Sequence, residues 1–504
     1  MPTFRSHGQL DDPFIEDGDQ LFRGLDAYTE PSLLEQGMVT ESINMRFDRG
    51  VAKVRKGLQE VATHSDICGL IKFTDPDGLD DVLVITPTQL HGVVVQTRTP
   101  LDLAESVSAK ARGLQIFENV LVFDEGKRPQ KSDGSNSFTS LSATPSINDG
   151  TFVACPDAPF GHYMANRLLV PDYDDSPSTL VCSDVFNENL FQLATGEFFL
   201  NKGTSNNKIL SIQNFQDNQI IVFCASSVHL VNNIHSLDSA SFEISRQYGI
   251  AGEKAVCQNG SYYYFMSNEG DVQVLVPQSD PAKGLGIAIT KLNLDSEPLS
   301  KPITPLMEQI DPDFLNKTIL HYHKNRVYCA CRLNGEQTTT LLVYNSLLSM
   351  WESKDTLPIE VIDMVSHKGK LFLASTTKVY EFESSMSDDG TPITGQLTTR
   401  DYVLGSRDIK RFVRGTLGYG SQQDGRTQIK VQTKNPDKQV DSIDITETDN
   451  NFSRMQRFNA RQRGYAASVR VEASSGSTEQ SEIRRVTLEG FVANGRTGGD
   501  FDGN

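Results

Sequence analysis

LQIFENVLVF, residues 114–123, shows the pattern that decides the fold: an alternating apolar run, a polar turn, and a second run dense in β-forming residues. The runs alternate with a period of two and are rich in Val, Ile, Tyr and Phe, so each predicts a β-hairpin and excludes helical repeats. The pattern returns in six other segments, LIKFTDPDGLDDVLVI (70–85), GHYMANRLLV (161–170), SIQNFQDNQIIVF (211–223), AVCQNGSYYYFM (255–266), LHYHKNRVYCA (320–330) and VSHKGKLFLA (365–374).

The spacing of these hairpins predicts how they assemble. The second runs begin 38, 48, 52, 42, 65 and 44 residues apart, close to the roughly 40 to 50 residues of a propeller blade. We therefore predict an all-β chain built around a β-propeller of six to seven or more hairpin units. The long gap predicts an insertion near 280–317, and its proline-rich part, 300–317, predicts a loop with at most a turn or two of helix.

Charge is divided unevenly along the 504 residues, which carry a net charge of −18. Residues 400–496 hold 17 Lys and Arg against 12 Asp and Glu, net +5, whereas residues 1–399 hold 30 against 51, net −21. An acidic body argues against wrapping nucleic acid, which requires a basic face. It is compatible with a surface that DNA passes without adhering.

Seven scattered cysteines, mostly inside apolar runs, predict small buried hydrophobes in a reducing compartment rather than a disulfide framework. No secretory signal is visible at the N-terminus, and the longest apolar runs are too short to span a bilayer. We expect a protein that is made in the cytoplasm and has no membrane-spanning segment.

Residues 24–62, before the first hairpin, form an arm with one basic cluster in the acidic part of the chain. FDRG (47–50) predicts a turn between two short strands. The simplest interpretation of the cluster is a solvated charged hairpin. Its members are Arg46, Arg49, Lys53, Arg55 and Lys56.

The same arm resembles the opening of the tail tubular B, or nozzle, proteins of short-tailed bacteriophages. The resemblance covers about forty residues and depends on a Gly and a Pro-containing stretch followed by Gly37, Glu41, Asn44, Gly50, Lys53 and Arg55. It departs from the family at Arg55-Lys56-Gly57, where members often carry Arg-Pro. Residues 248–275 and 341–354 also look like parts of these virion propellers. Trp351, in the second stretch, is expected to be a blade-packing aromatic.

The resemblance implies a structural virion protein rather than an enzyme. It implies a homohexameric ring in the tail, made in the host cytoplasm and placed below the portal and adaptor. Its partners would be the tail adaptor protein and a needle, plug, tail fibre or spike, and viral DNA would pass through it transiently. Two alternatives stay open from the fold alone: a carbohydrate-binding or glycan-cleaving propeller, and a cellular kelch-like docking propeller.

Beyond the last hairpin, about six strands separated by turn residues predict a C-terminal β-sandwich or barrel. Arginines are dense before and within one of these strands. They suit phosphate neutralisation, pairing with acidic neighbouring subunits, or protection of a strand edge, and we favour subunit pairing. The residues predicted to contact subunits or partners are Asn44, Arg46, Arg49, Lys53, Arg55, Arg454, Arg457, Arg461 and Arg463.

The predicted organisation is therefore an arm (1–62), a propeller (63–386), a hinge (387–396), a C-terminal domain (397–496) and a flexible tail (497–504). No P-loop, HExxH, GxSxG or EF-hand spacing is present. We predict no catalytic residues, no cofactor and no metal site. Asp-rich stretches at 75–81 and 171–175 are interpreted as turns rather than calcium loops.

One candidate zinc pattern remains, made of His321, His323, Cys329 and Cys331. A two-residue turn at 324–325 would place His321 opposite Tyr328 and send the His and Cys pairs to opposite faces. A three-residue turn would instead place His321 opposite Cys329. Core cysteines and edge histidines are the favoured interpretation.

Overall fold

The structure is a computed structural model, and it describes the chain in segments. These are residues 15–75, 77–95, 98–134, 137–145, 147, 150–173, 176–192, 196–200, 207–216, 218–234, 240–279, 289–294, 297–405, 408–420, 426–434, 445–447, 453–475 and 480–492. For 199, 277–279, 289–293, 426–434, 445–447, 453, 454, 456 and 461 the description covers the backbone alone.

Almost all of the described secondary structure is β. The strands that precede the first predicted hairpin are β1 (Ile15–Asp19), β2 (Gly24–Leu25), β3 (Met38–Ile43), β4 (Met45–Asp48), β5 (Val51–Val54) and β6 (Gly57–Thr63). The first three blades contain β7 (Gly69–Thr74), β8 (Asp80–Ile85), β9 (Gln89–Gly92), β10 (Leu101–Asp102), β11 (Arg112–Ile116), β12 (Asn119–Asp124), β13 (Lys127–Ser132), β14 (Thr139–Ser140), β15 (His162–Met164), β16 (Arg167–Pro171), β17 (Thr179–Asp184), β18 (Asn187–Phe191) and β19 (Glu197–Phe199).

The chain continues through further blade strands to the C-terminal strands. They are β20 (Ile209–Gln216), β21 (Gln219–Cys224), β22 (Val228–Asn232), β23 (Ala240–Ser245), β24 (Val256–Asn259), β25 (Tyr262–Met266), β26 (Val272–Ser279), β27 (Ile289–Leu294), β28 (Ile319–His323), β29 (Arg326–Cys331), β30 (Thr340–Asn345), β31 (Met350–Thr356), β32 (Asp363–His367), β33 (Lys370–Ala374) and β34 (Lys378–Ser385). The last are β35 (Ser387–Asp388), β36 (Thr391–Pro392), β37 (Thr394–Thr399), β38 (Lys410–Gly420), β39 (Arg426–Lys434), β40 (Ile445–Glu447), β41 (Ser453–Gly464), β42 (Ala466–Ser474) and β43 (Glu482–Val492).

The helices whose bounds the structure describes lie in the predicted insertion. They are two 3₁₀ segments, Lys301–Ile303 and Pro312–Lys317, and one turn of α-helix, α1 (Thr304–Met307). Proline occupies the first turn of each, where its missing N–H is tolerated. The prediction of a loop with a turn or two of helix is confirmed, and no described helix is long and apolar enough to cross a bilayer.

The chain divides into two compact units. The propeller unit comprises Leu58–Leu347 and Thr356–Ser384, and the sandwich unit comprises Met1–Gly57, Leu348–Asp355 and Ser385–Asn504. The sequence placed the arm and the C-terminal domain on either side of the propeller as separate parts. The structure joins them and adds an internal segment that carries Trp351.

The propeller unit contains six sheets of four or five antiparallel strands. They are β7–β10, β11–β14, β15–β19, β20–β23, β24–β27, and β32–β34 completed by β6. Strands β28, β29 and β30 are also hydrogen-bonded in order and belong to a seventh blade. All seven predicted hairpins form the first two strands of these sheets, so the all-β propeller is confirmed. Because β6 precedes the first blade and completes the last sheet, the two ends of the propeller sequence are joined by a strand pairing.

The first strands of successive blades contact one another around the ring. Contacts join β32, β7, β11, β15 and β20 in turn, and β24, β28 and β32 in turn. Between β20 and the next blade, the Tyr263 hydroxyl donates to the Asn214 carbonyl, and the rings of Phe223 and Phe265 lie 5.4 Å apart. The apolar cores lie between adjacent sheets, because a single hairpin cannot bury its own apolar face.

The sandwich unit consists mainly of two sheets. One has the order β4-β5-β43-β38-β41, with β1 also paired to β43, and the other runs β31-β2-β3-β37-β42-β39-β40. Strand β37 of the second sheet contacts β4 and β5 of the first, and burial alternates along β5 of one sheet and β42 of the other. The predicted sandwich therefore forms, although strands of the arm contribute to both sheets.

Candidate functional site

A cavity of about 270 Å³ lies where the first strands of the blades converge. Six of these strands contribute to it, because the inner strand of each blade faces the axis. Its lining includes Arg112, His162, Gln213, Glu253, Lys254, His321 and Asp363. This axial cavity brings together more charged and titratable side chains than the sequence patterns indicated.

Each carboxylate in the axial cavity is held by a cation. The Arg112 guanidinium donates to Glu253, and its central carbon lies 5.2 Å from the ring centre of Phe160. The Lys254 ammonium lies 2.9 Å from Asp363, whose carboxylate also accepts from the Leu70 backbone N–H at 2.9 Å. Glu253 and Asp363 thus balance the charges of Arg112 and Lys254 within the cavity.

The histidines near the cavity are held neutral by burial. His162 Nε2 lies 2.7 Å from the Asn214 amide oxygen, and burial lowers the pKa of His162. His321 Nε2 and His323 Nδ1 share the Ser366 hydroxyl at 2.7 and 2.9 Å. Burial lowers the pKa of His321 to about 4. These imidazoles are therefore uncharged near pH 7.

The candidate zinc pattern adopts the two-residue turn. His321 pairs with Tyr328 across the hairpin, and the turn residues Lys324 and Asn325 have φ values of 45° and 65°, as a two-residue hairpin loop requires. Cys329 and Cys331 are buried on the face opposite to the histidines. In the described part of the chain, no group of three or more His, Cys, Asp or Glu residues is placed to hold a metal ion.

All seven cysteines are buried and carry free thiols. Burial raises the pKa of Cys68 to about 11 and the pKa of Cys182 and Cys224 to about 12. A thiol that is buried and protonated is chemically inert. The prediction that the cysteines are small buried hydrophobes is confirmed.

The Asp-rich stretch at 75–81 binds a guanidinium of its own chain. Arg98 lies 2.9 Å from Asp75 and 3.0 Å from Asp81. Asp81 is fully buried and also accepts from the Val94 backbone N–H at 2.9 Å. The carboxylates of the first stretch therefore hold Arg98. In the second stretch, the acids at 174 and 175 lie outside the described residues.

Three of the predicted partner-contact residues are interior residues of the sandwich unit. Arg46 donates two hydrogen bonds to Asp355, at 3.1 and 2.6 Å. Arg55, fully buried, donates to Asn44 at 3.0 Å and to Asp388 at 2.9 and 2.6 Å. The expectation of a surface role for Asn44, Arg46 and Arg55 is therefore corrected: Asn44 and Arg55 bind each other, Arg46 binds Asp355, and Arg55 binds Asp388.

This buried arginine cluster corrects one further interpretation. Asp388 lies in the predicted hinge, yet it belongs to the short β35–β36 hairpin and is buried. Ser353 and Asp355 lie on β31 together with Trp351, which is fully buried, as a packing aromatic should be. Ser353 donates to Asp355 at 2.6 Å. A buried arginine requires a carboxylate, but the sequence does not say which one.

The other predicted contact residues of the arm lie nearer the surface. Arg49 is exposed in the predicted turn, at a φ of 50°. Lys53 is partly exposed, with its ammonium 3.2 Å from Glu482 and 3.9 Å from Asp48. Both residues remain available to a partner.

The C-terminal arginines lie on a strand that the sequence did not predict. β41 is the last strand of its sheet and pairs with β38. Arg457 and Arg463 are exposed, and the side chains of Arg454 and Arg461 lie outside the described part. Buried Phe458 and Ala460 alternate with exposed neighbours. This period of two could have predicted the strand, but the many charged residues around it made the pattern hard to recognise.

Comparisons with known proteins show similarity of fold at low identity. No protein-family model and no curated protein matches the chain. YCF48 from Cyanidioschyzon merolae is 11% identical with a TM-score of 0.40, over 65% of this chain and 98% of that chain. BamB from Moraxella catarrhalis is 9% identical with a TM-score of 0.37, over 65% and 98%. At such TM-scores these likenesses do not bear on function, and the propeller assignment rests on the strands themselves.

Proposed function

We propose that this protein is a structural component of a bacteriophage tail, a nozzle ring below the portal and adaptor through which DNA passes. The observation that carries the proposal is the arm that resembles nozzle proteins, together with the structural role of its motif residues. These residues connect the arm to the C-terminal strands, so the segment that carries the resemblance also organises the sandwich unit.

Individual motif residues support this connection. Gly37 has a φ of +90°, and its N–H donates to Asp19 at 2.8 Å. Glu41 accepts from the Thr398 hydroxyl at 3.0 Å, and Lys53 pairs with Glu482. Asn44 and Arg55 belong to the buried arginine cluster. The contacts of Glu41, Lys53 and Arg55 with Thr398, Glu482 and Asp388 each join residues more than 300 positions apart, which is what a rigid assembly platform requires.

A non-enzymatic role is part of the same proposal. The carboxylates Glu253 and Asp363 in the axial cavity are each neutralised by a cation, and the nearby imidazoles are neutral. This arrangement supports a packed scaffold rather than acid–base chemistry. The net charge of −21 in residues 1–399 fits a conduit, because like charge repels phosphate and limits adhesion of DNA.

The proposed partners follow from the tail location. They are other copies of the chain in a hexameric ring, the tail adaptor, and a needle, plug, fibre or spike. The exposed arginines of β41, Arg457 and Arg463, are the proposed contacts with an acidic face of a neighbouring subunit. An edge strand that presents cations resists indiscriminate pairing while remaining able to select an acidic partner.

The test is ring assembly on portal–adaptor complexes from the same particle, measured by mass photometry. We expect wild-type protein to add as a closed ring. The double variant Arg457→Glu, Arg463→Glu should lower ring occupancy at least tenfold. The matched control is Arg246→Glu, a charge reversal at an exposed propeller arginine, which should assemble normally. Failure of the wild-type chain to add to the complex would overturn the proposal.

A further inference from the structure

Three hairpin turns of adjacent blades bring aromatic side chains together at the surface of the propeller. The turns join β11 to β12, β15 to β16 and β17 to β18. Phe117 is 55% exposed and Phe186 is 65% exposed. Their rings stack with centres 5.7 Å apart, and Tyr163 lies edge-on to Phe117 at 5.4 Å.

Both phenylalanines have a backbone conformation that is unfavourable for bulky residues. Phe117 has a φ of 51° and Phe186 a φ of 57°, in the left-handed region that Gly, Asn and Asp tolerate best. Strained backbone persists where the surrounding structure maintains it, and it concentrates at functional sites. Two exposed aromatic rings held on strained turns are therefore unlike ordinary scattered surface hydrophobes.

A cavity of about 190 Å³ lies beside these rings. Its polar lining includes Asn119, Lys131, Asn166, Ser183 and Glu188. Lys131 and Glu188 form an ion pair, so this local pair of charges is balanced. Tyr163 also lines the cavity, and its buried hydroxyl has no hydrogen-bond partner among the described residues. A buried polar group without a partner is costly, and a bound ligand would satisfy it.

We propose that the cavity between Phe117, Tyr163 and Phe186 binds a neutral saccharide. A pyranose ring has an apolar C–H face that packs on the aromatic rings and hydroxyl groups that pair with amide side chains and the Tyr163 hydroxyl. This inference does not depend on the proposed tail role.

Other ligand classes fit the site less well. An ion would have to compete with the existing pair of Lys131 and Glu188. An extended peptide gains its affinity from pairing with an open sheet edge, whereas this site is built from turns whose Phe186 N–H already donates to the Asn166 carbonyl at 2.8 Å. The aromatic lining of the cavity and the balanced charges of Lys131 and Glu188 together favour a neutral saccharide.

The test is binding of maltotriose, cellotriose, lactose, mannobiose and chitotriose to the full chain, by saturation-transfer NMR and calorimetry. We expect at least one to bind, and Phe117→Asn and Phe186→Asn each to weaken that affinity at least tenfold. Asn removes the ring while tolerating the left-handed backbone. The control Phe242→Asn alters a phenylalanine that is 54% exposed and does not line the cavity, and it should bind normally.

Tyr163→Phe separates a binding role from a folding role. It should leave thermal stability unchanged or slightly raised, because the hydroxyl has no partner in the free protein, and it should weaken saccharide binding several-fold. The proposal is overturned if none of the five saccharides binds, or if Phe242→Asn weakens binding as much as the cavity variants. It is also overturned if a proline-rich peptide, but no saccharide, binds in a Phe117-dependent way.

Discussion

The propeller unit and the sandwich unit are both β structures, but they are held together differently. The blades of the propeller are formed by strands that are neighbours in sequence, except that β6 completes the last one, and apolar cores lie between adjacent blades. The sandwich unit combines strands from three distant segments and contains a buried arginine cluster. Local pattern therefore specifies the propeller, whereas long-range charge pairing fixes the register of the sandwich.

The largest expected effect comes from removing the centre of the buried arginine cluster. Arg55→Ala removes the guanidinium that donates to Asp388 and Asn44, and loss of one member of a buried ion pair costs about 3–5 kcal/mol in the free energy of unfolding. Trp351, the only tryptophan, is fully buried in the sandwich unit, so its emission during urea unfolding reports this unit.

The control for that variant is Lys53→Ala, which removes a partly exposed pair with Glu482 and should cost about 0–1 kcal/mol. If the Trp351 transition shifts equally in the two variants, the cluster does not hold the sandwich together.

A smaller effect is expected at a glycine of the arm. Gly37 has a φ of +90°, and an added Cβ would lie 2.1 Å from the Leu21 carbonyl oxygen. Gly37→Ala should cost about 2–3 kcal/mol in the free energy of unfolding. Gly126→Ala is the propeller control, because its φ of +73° is similar but no atom lies within 4 Å. Equal losses of thermal stability would show that the close approach in the arm has no consequence.

Acid should destabilise the propeller more than the sandwich. All seven histidines among the described residues lie in the propeller unit, and burial is the largest cause that lowers the pKa of each. Because the folded-state pKa lies below the unfolded value of about 6.5, this stability is complete above pH 6.5 and is lost as pH falls towards 4. In the sandwich unit, burial raises the pKa of Asp19, which has the opposite pH dependence.

Calorimetry at pH 7 and pH 5 measures this difference, with Trp351 emission identifying the sandwich transition. We expect the propeller to lose about 1–2 kcal/mol, and His321→Gln to reduce that loss. If the Trp351 transition loses more stability between pH 7 and pH 5 than the propeller transition does, the prediction from these histidines is wrong.

The smallest effect is expected at the exposed edge of the sandwich. Arg457→Ala changes an exposed side chain of β41 and should alter the free energy of unfolding by less than about 0.5 kcal/mol. Thermal unfolding of this variant beside Arg55→Ala distinguishes arginines that hold the fold from those available to partners. A loss above 1 kcal/mol would place Arg457 among the structural residues.

The sequence predicted the parts of the fold that depend on neighbouring residues. The alternation in segments such as 114–123 predicted all seven hairpins, and the prolines of 300–317 predicted the short helical insertion. It did not predict that β6 completes the last blade or that Leu348–Asp355 joins the sandwich, because such pairings depend on distant partners. Arg55 illustrates the same limit, since Asp388 lies 333 positions away.

The candidate sites were predicted less completely for the same reason. Convergence of Glu253 and Asp363 with their cations depends on the closure of the ring, and Phe117 meets Phe186 only when adjacent blades pack. The basic arm residues looked equivalent in sequence. In the structure they differ in burial: Arg46 and Arg55 are interior residues, whereas Arg49 is exposed.

The most direct measurement of the proposed function is cryo-electron microscopy of the assembled phage particle. We predict six copies of this chain in a ring around the tail axis, below the portal and adaptor, with an open channel wide enough for duplex DNA. A particle whose tail axis lacks this chain, or carries it only at peripheral fibres, would contradict a role as the nozzle.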